Sequence, residues 1–252
     1  MSHWFRVTAY HNRHNTLIKS FDKLNDQKLG SSLRTEFSIS SLIRKLLTET
    51  IGTFFLVLTI GLTNLWELPL GPIAVGFILM AMVYMGMSTS GAHYNPAVSI
   101  VMTLHGKLKP SDLAPYLLAQ ILGAFLANFT ILILVGSSFS VGPSPEANLL
   151  AILLSELLFT FALVLVIFHV AVDDSTKGNS YYGFAIGFTV AAGGFSVGPI
   201  SDAVFNPAVA IATIVFDSIV TGRSLESLWI YIVTPIAGAI AASKVYAIQR
   251  PS

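Results

Sequence analysis

Asn95-Pro96-Ala97-Val98 and Asn206-Pro207-Ala208-Val209 are the same four residues written twice in one chain, 111 positions apart. Each copy opens a short apolar stretch, near 95–105 and 206–217, of about 11 residues. At ~1.5 Å per residue that is roughly half of a ~30 Å hydrocarbon core. Asn is a preferred helix N-cap, and Pro is favoured at the first helical position, where its missing N–H leaves nothing unpaired. Each copy therefore predicts a helix that starts at its Pro and is too short to cross a membrane alone.

Around these two stretches lie six longer apolar ones, near 46–66, 70–90, 111–136, 148–170, 181–199 and 227–248, each close to the ~20 residues that a spanning helix needs. Composition agrees: 54% of the 252 residues are hydrophobic and 11% charged, against roughly 45–50% and 25% in a soluble domain. A second duplication accompanies the first. Glu49-Thr50-Ile51-Gly52-Thr53-Phe54 is followed at an offset of 107 by Glu156-Leu157-Leu158-Phe159-Thr160-Phe161. Two motifs recurring at nearly one offset imply a duplicated unit of three spans and one half-helix. Three is odd, so the second unit enters the membrane from the opposite face. The expected fold is an all-α membrane protein of six transmembrane helices plus two re-entrant half-helices, in inverted three-helix repeats. The channel domain is expected over 46–248, with repeat one at 46–136 and repeat two at 148–248.

The first 45 residues hold eight of the fourteen Lys and Arg and only three acids. No apolar core follows closely on those charges, which argues against a secretory signal peptide. An uncleaved basic tail is the expected reading, with an organelle transit peptide as the alternative. Six crossings put both termini on one side, and the basic tail makes that side cytoplasmic. Lys107, Lys109, Lys177, Lys244 and Arg250 then also lie inside and Arg223 alone outside. The absence of cysteine excludes disulfides and thiolate chemistry. No phosphate-binding loop, nucleophile–base pair or metal-ligand cluster is present, so no catalytic residue, cofactor or metal is expected. No nucleic-acid partner is expected either.

If the half-helices meet N-terminus to N-terminus at mid-membrane, they bring roughly half a positive charge each to the meeting point. The carboxamides of Asn95 and Asn206 add hydrogen-bond donors there. Such a site holds a passing water or alcohol by its oxygen and repels cations. The duplicated motif thus points to a channel for small uncharged solutes.

Ser90-Gly91-Ala92-His93-Tyr94-Asn95-Pro96-Ala97-Val98 and Gly198-Pro199-Ile200-Ser201-Asp202-Ala203-Val204-Phe205-Asn206-Pro207-Ala208 resemble the two signature loops of the major intrinsic proteins, the aquaporin and glycerol-facilitator family. The similarity runs from about Leu46 to Tyr246. It implies that Asn95 and Asn206 line a pore, that Glu49 and Glu156 are buried braces for the half-helix loops, and that His93 lines the pore's cytoplasmic half. It also implies a homotetramer in the lipid bilayer, here a multi-pass protein of the cell membrane. The other reading of Glu49 and Glu156, a proton relay, fits poorly with their placement at matching repeat positions. His105 and His169 lie near span ends and are expected to be solvated.

The family's outer filter corresponds to Val75, Gly194, Ala203 and Val209. Water-selective members carry Phe and His at the first two of these positions, and nearly all members carry Arg at the fourth. Here all four are small or apolar, which implies a wider opening without the fixed charge, passing water with glycerol, urea, ammonia or similar solutes. Asp202 places an acid near the outer mouth. The alternatives are a secondary transporter, a weakly cation-leaky channel, and a non-conducting scaffold.

Overall fold

The computed structural model describes residues 41–250. Within them lie α1 Ser41–Leu65, α2 Gly71–Ser90, α3 Pro96–Leu104, α4 Pro110–Val135, α5 Leu149–Ile167, α6 Tyr182–Ser201, α7 Pro207–Thr221 and α8 Leu228–Gln249. A π-helical turn, Phe168–Val172, continues α5. Six of these helices are long and apolar enough to cross a membrane, α5 being counted to Val172. Their outer faces stay apolar, as with Leu118, Leu122, Phe129 and Ile133 on α4. A helix that is apolar on its exposed side as well as its packed side suits lipid, not water.

Small residues let the spans approach closely. At the crossing of α2 and α6, a Cβ added to Gly76 would lie 2.6 Å from the Gly187 carbonyl oxygen, and one added to Gly187 would strike the Gly76 carbonyl. These two glycines are 111 positions apart, the offset of the Asn-Pro-Ala copies, so the crossing relates one repeat to the other. Elsewhere Gly123 of α4 meets Thr50 of α1, and Gly238 of α8 meets Leu157 of α5, both against the carbonyl. This is the close backbone contact by which membrane helices associate where water supplies no driving force. Gly187→Leu is expected to lower the unfolding midpoint by several degrees, for an overpacking cost of about 1–3 kcal/mol. An unchanged midpoint in a detergent melting curve would mean that the crossing has slack.

The half-helices differ in length. The first, α3, has 9 residues and the second, α7, has 15, continuing past the expected end at 217 to Thr221. Asp217 explains the extension. It is 1% exposed, accepts from Ser138 Oγ at 2.7 Å and pairs with Arg223 Nη1 at 3.2 Å. A charge that closes the apolar stretch in the sequence is thus neutralised in place, and Glu49 and Glu156 are not the only buried acids of the bundle.

Two expectations at helix ends change. His105 and His169 are half-buried, not solvated. The His105 ring packs on Phe168 at 4.5 Å, with Nε2 2.7 Å from Ser243 Oγ. The His169 ring packs on Tyr246 at 5.3 Å, with Nδ1 2.9 Å from the Leu165 carbonyl. The aromatic rings at this end stack on one another, and the histidines complete the stack. Beside them Asp173 accepts from the Ser175 N–H at 2.8 Å and pairs with Arg250 Nε at 2.7 Å. Its hydrogen bonds to Ser175 and then the Arg250 charge hold the Asp173 carboxyl below the usual range. The helix α1 begins at Ser41, and most of the basic 1–45 segment lies outside the described residues.

Candidate pore

Each half-helix is preceded by a loop whose backbone is held in a sparsely populated conformation. In the first, Ala92 and Tyr94 have φ of +52° and +50°; in the second, Asp202, Ala203 and Phe205 have +63°, +51° and +51°. Non-glycine residues in this region cost about 1–3 kcal/mol each and persist only where their surroundings over-determine them. A fully buried glutamate does so in each repeat. Glu49 Oε1 accepts from Ser90 Oγ at 2.6 Å and the His93 N–H at 3.0 Å. Its Oε2 accepts from the Tyr94 N–H at 2.7 Å and Gln120 Nε2 at 2.8 Å. Glu156 Oε1 accepts from Ser201 Oγ at 2.7 Å and the Val204 N–H at 3.0 Å, and Oε2 from the Phe205 N–H at 2.7 Å. Buried tyrosines pin the same loops: Tyr116 donates to the Ser90 carbonyl at 2.8 Å and Tyr231 to the Ser201 carbonyl at 2.9 Å.

The two asparagines then join the loops. Each N-caps its half-helix, Asn95 Oδ1 accepting from the Ala97 N–H at 2.9 Å and Asn206 Oδ1 from the Ala208 N–H at 3.0 Å. Each also reaches the opposite loop, Asn95 Nδ2 donating to the Phe205 carbonyl and Asn206 Nδ2 to the Tyr94 carbonyl, both at 2.8 Å. A carboxamide has two N–H donors. One is used in the cross-link, leaving the second on each asparagine for the space that both border.

That space is a cavity of about 770 Å³ whose wall includes both asparagines and His93. Leu56, Leu163, Ile186 and Val98 make much of the wall apolar. Glu67 and Asp202 stand at one end, and Lys45 and Lys107 at the other. Val75, Gly194, Ala203 and Val209 all border the cavity too, although they come from α2, α6, the second loop and α7. None of the four offers a polar side chain. At Gly194 an added Cβ would lie 2.8 Å from the Pro72 side chain, so α2 already occupies part of the room that a larger residue would need. Asp202 is not simply solvated: its Oδ2 accepts from the Gly142 N–H at 2.8 Å, tying the loop after α4 to this mouth.

Residues 36–246 match the family model described as Major intrinsic protein, which covers most of the chain. The chain belongs to the major intrinsic protein family. It is 33% identical over 222 residues to a probable aquaporin NIP-type of Nicotiana alata, covering 84% of this chain and 80% of that one. It is 34% identical over 219 residues to Nodulin-26 of Glycine max, covering 82% and 78%. The aquaglyceroporin from Plasmodium falciparum shares its fold, with a TM-score of 0.74 at 24% identity over 81% of this chain and 95% of that one. This major intrinsic protein is a passive membrane channel for water and small solutes, not an enzyme.

Several polar residues of this major intrinsic protein escaped the sequence reading. Gln120 donates to both Glu49 and Ser99, and neither these two polar residues nor the bracing tyrosines form part of a motif in the sequence. One signal was available: Tyr116 and Tyr231, like Gly123 and Gly238, recur at an offset of 115, extending the repeat into α4 and α8.

Proposed function

We propose that this channel passes glycerol, urea and solutes of similar size as well as water. The observation that carries the reading is the set of four side chains at the mouth bordered by Asp202: Val75, Gly194, Ala203 and Val209 bring neither bulk nor a hydrogen-bond donor to the wall. A pore selects by width, by the groups lining it and by electrostatic barriers, and here the first two are relaxed. The paired half-helix N-termini keep their positive ends at the centre and still oppose cations. Asn95, Asn206 and His93 are the donors that a solute meets. The Asp202 mouth faces outward and the Lys45 end inward, as the basic tail and the positive-inside rule favour. The working assembly is a homotetramer in the cell membrane, with both termini cytoplasmic.

A secondary transporter that couples through carboxylates would need a buried acid on the path. Among the described residues the buried acids beyond the two braces, Asp173 and Asp217, are paired with Arg250 and Arg223 and do not border the cavity. Stopped-flow measurements on proteoliposomes test the proposal: water, glycerol and urea should all flow in proportion to their gradients without saturation. Water flux with both larger solutes excluded would overturn it.

A second reading has its own observation. The charged side chains bordering the outward mouth, Glu67 and Asp202, are both acids, and acids concentrate cations at a mouth. The expected result is a small cation leak that Asp202→Asn reduces while glycerol flux stays unchanged. Equal cation conductance of the two proteins in planar bilayers would remove Asp202 from the account.

A further inference from the structure

The two repeats differ at a place that faces the cavity. In the first, side-chain hydrogen bonds run inward from the wall. His93 Nδ1 lies 3.0 Å from Ser99 Oγ, Gln120 Nε2 donates to Ser99 Oγ at 2.9 Å, and the same nitrogen donates to Glu49 Oε2 at 2.8 Å. At the repeat offsets of 111 and 115, the second unit has Val204, Ala210 and Pro235 in the places of His93, Ser99 and Gln120. Glu156 nevertheless holds its loop with the same backbone hydrogen bonds. The chain of three side chains is therefore not what the loop needs in order to fold.

Counting hydrogens gives the chain a direction. Glu49 receives backbone N–H groups on both oxygens, so it acts as an acceptor and Gln120 must turn its NH₂ toward it. That nitrogen has two hydrogens. One goes to Glu49 and the other to Ser99 Oγ. Ser99 is fully buried, and its hydroxyl has no carbonyl acceptor among the described residues, so its single hydrogen goes to His93 Nδ1. A neutral imidazole that accepts at Nδ1 carries its proton on Nε2. Among the described residues Nε2 has no protein partner, yet it is not among the fully buried side-chain atoms left without a hydrogen bond, which include Thr53 Oγ1 and Gln120 Oε1. Nε2 is thus open to the cavity that His93 borders. Gly91 leaves it uncovered, since a Cβ there would lie 3.2 Å from Nε2.

We infer that Ser99 and Gln120 are positioning residues that lock His93 in its Nε2–H tautomer, so that the inner half of the pore presents a fixed donor to the oxygen of a passing solute. The solute's part rests on the channel reading; the tautomer does not. The donor lies on the inner side of the asparagines, so a solute oxygen passes from one set of oriented N–H groups to another.

The test is ¹⁵N solid-state NMR on the full chain, histidine-labelled and reconstituted in bilayers, with His93→Gln identifying the His93 signals. The wild type should show an unprotonated Nδ1 and a protonated Nε2 with a water cross-peak. Ser99→Ala and Gln120→Met should each split the His93 signals into two tautomers, and each variant's melting curve checks that it is folded. A wild type protonated at Nδ1, a wild-type mixture, or a missing water contact would overturn the inference. So would a single Nε2–H tautomer retained in both folded variants. The spectrum is read without flux, so a non-conducting protein and an unlocked ring are separate results.

Discussion

Arginine at position 209 is expected to close the channel to glycerol and urea while water still passes. Val209 is the third residue of α7, borders the cavity and is 1% exposed. A guanidinium there would add length, five donors and a permanent charge close to the positive N-terminus of the same half-helix. The added length would then act against a larger solute, and the charge against cations. Each ~1.4 kcal/mol added to the barrier slows passage about tenfold, and a loss of ten- to a hundredfold for glycerol is the expected range. Val209→Leu separates the causes, since it adds bulk without charge. If Leu reproduces the glycerol loss, bulk near the helix start decides; if only Arg does, the longer, donor-bearing guanidinium decides. Glycerol flux unchanged in Val209→Arg proteoliposomes would place the narrowest point elsewhere.

What was legible in the sequence follows from the physics of each element. Spans announce themselves because a helix in hydrocarbon must be apolar along its length, and the starts of α3 and α7 because Asn caps and Pro begins a helix whatever surrounds them. The end of α7 was not legible. Asp217 reads as the close of an apolar stretch until Ser138, 79 positions earlier, and Arg223 are seen to neutralise it. Gln120 was hidden for a related reason. It is one of several polar residues in a 26-residue span, and only the rotation of α4 turns it onto Glu49, 71 positions away. Gly194 shows the limit of reading a filter from residue size, because Pro72 of a different helix partly fills the space that a small residue leaves.

Glu156→Leu is expected to abolish the channel. Leucine matches the volume of the glutamate but accepts no hydrogen bond, so the hydroxyl of Ser201 and the N–H groups of Val204 and Phe205 would lose their acceptor. A buried donor left unsatisfied costs about 1–3 kcal/mol, so the three together cost about 3–9 kcal/mol against a typical stability of about 5–15 kcal/mol. The damage would not stay in one repeat. Asp202, Ala203 and Phe205 keep their positive φ while the brace holds them, and the Phe205 carbonyl is the acceptor for Asn95 of the other half-helix. Relaxing the second loop therefore unpairs the first asparagine. Glu156→Gln retains one acceptor oxygen and should fall between wild type and Leu in both melting midpoint and flux per molecule. Glu49→Leu should do at least as much harm as Glu156→Leu, because it also strands Gln120. Fluorescence-detected melting with stopped-flow flux on the same preparations reads both quantities. A Glu156→Leu protein with wild-type midpoint and flux would show that the loops hold their shape without the glutamates, and the brace would have to be abandoned.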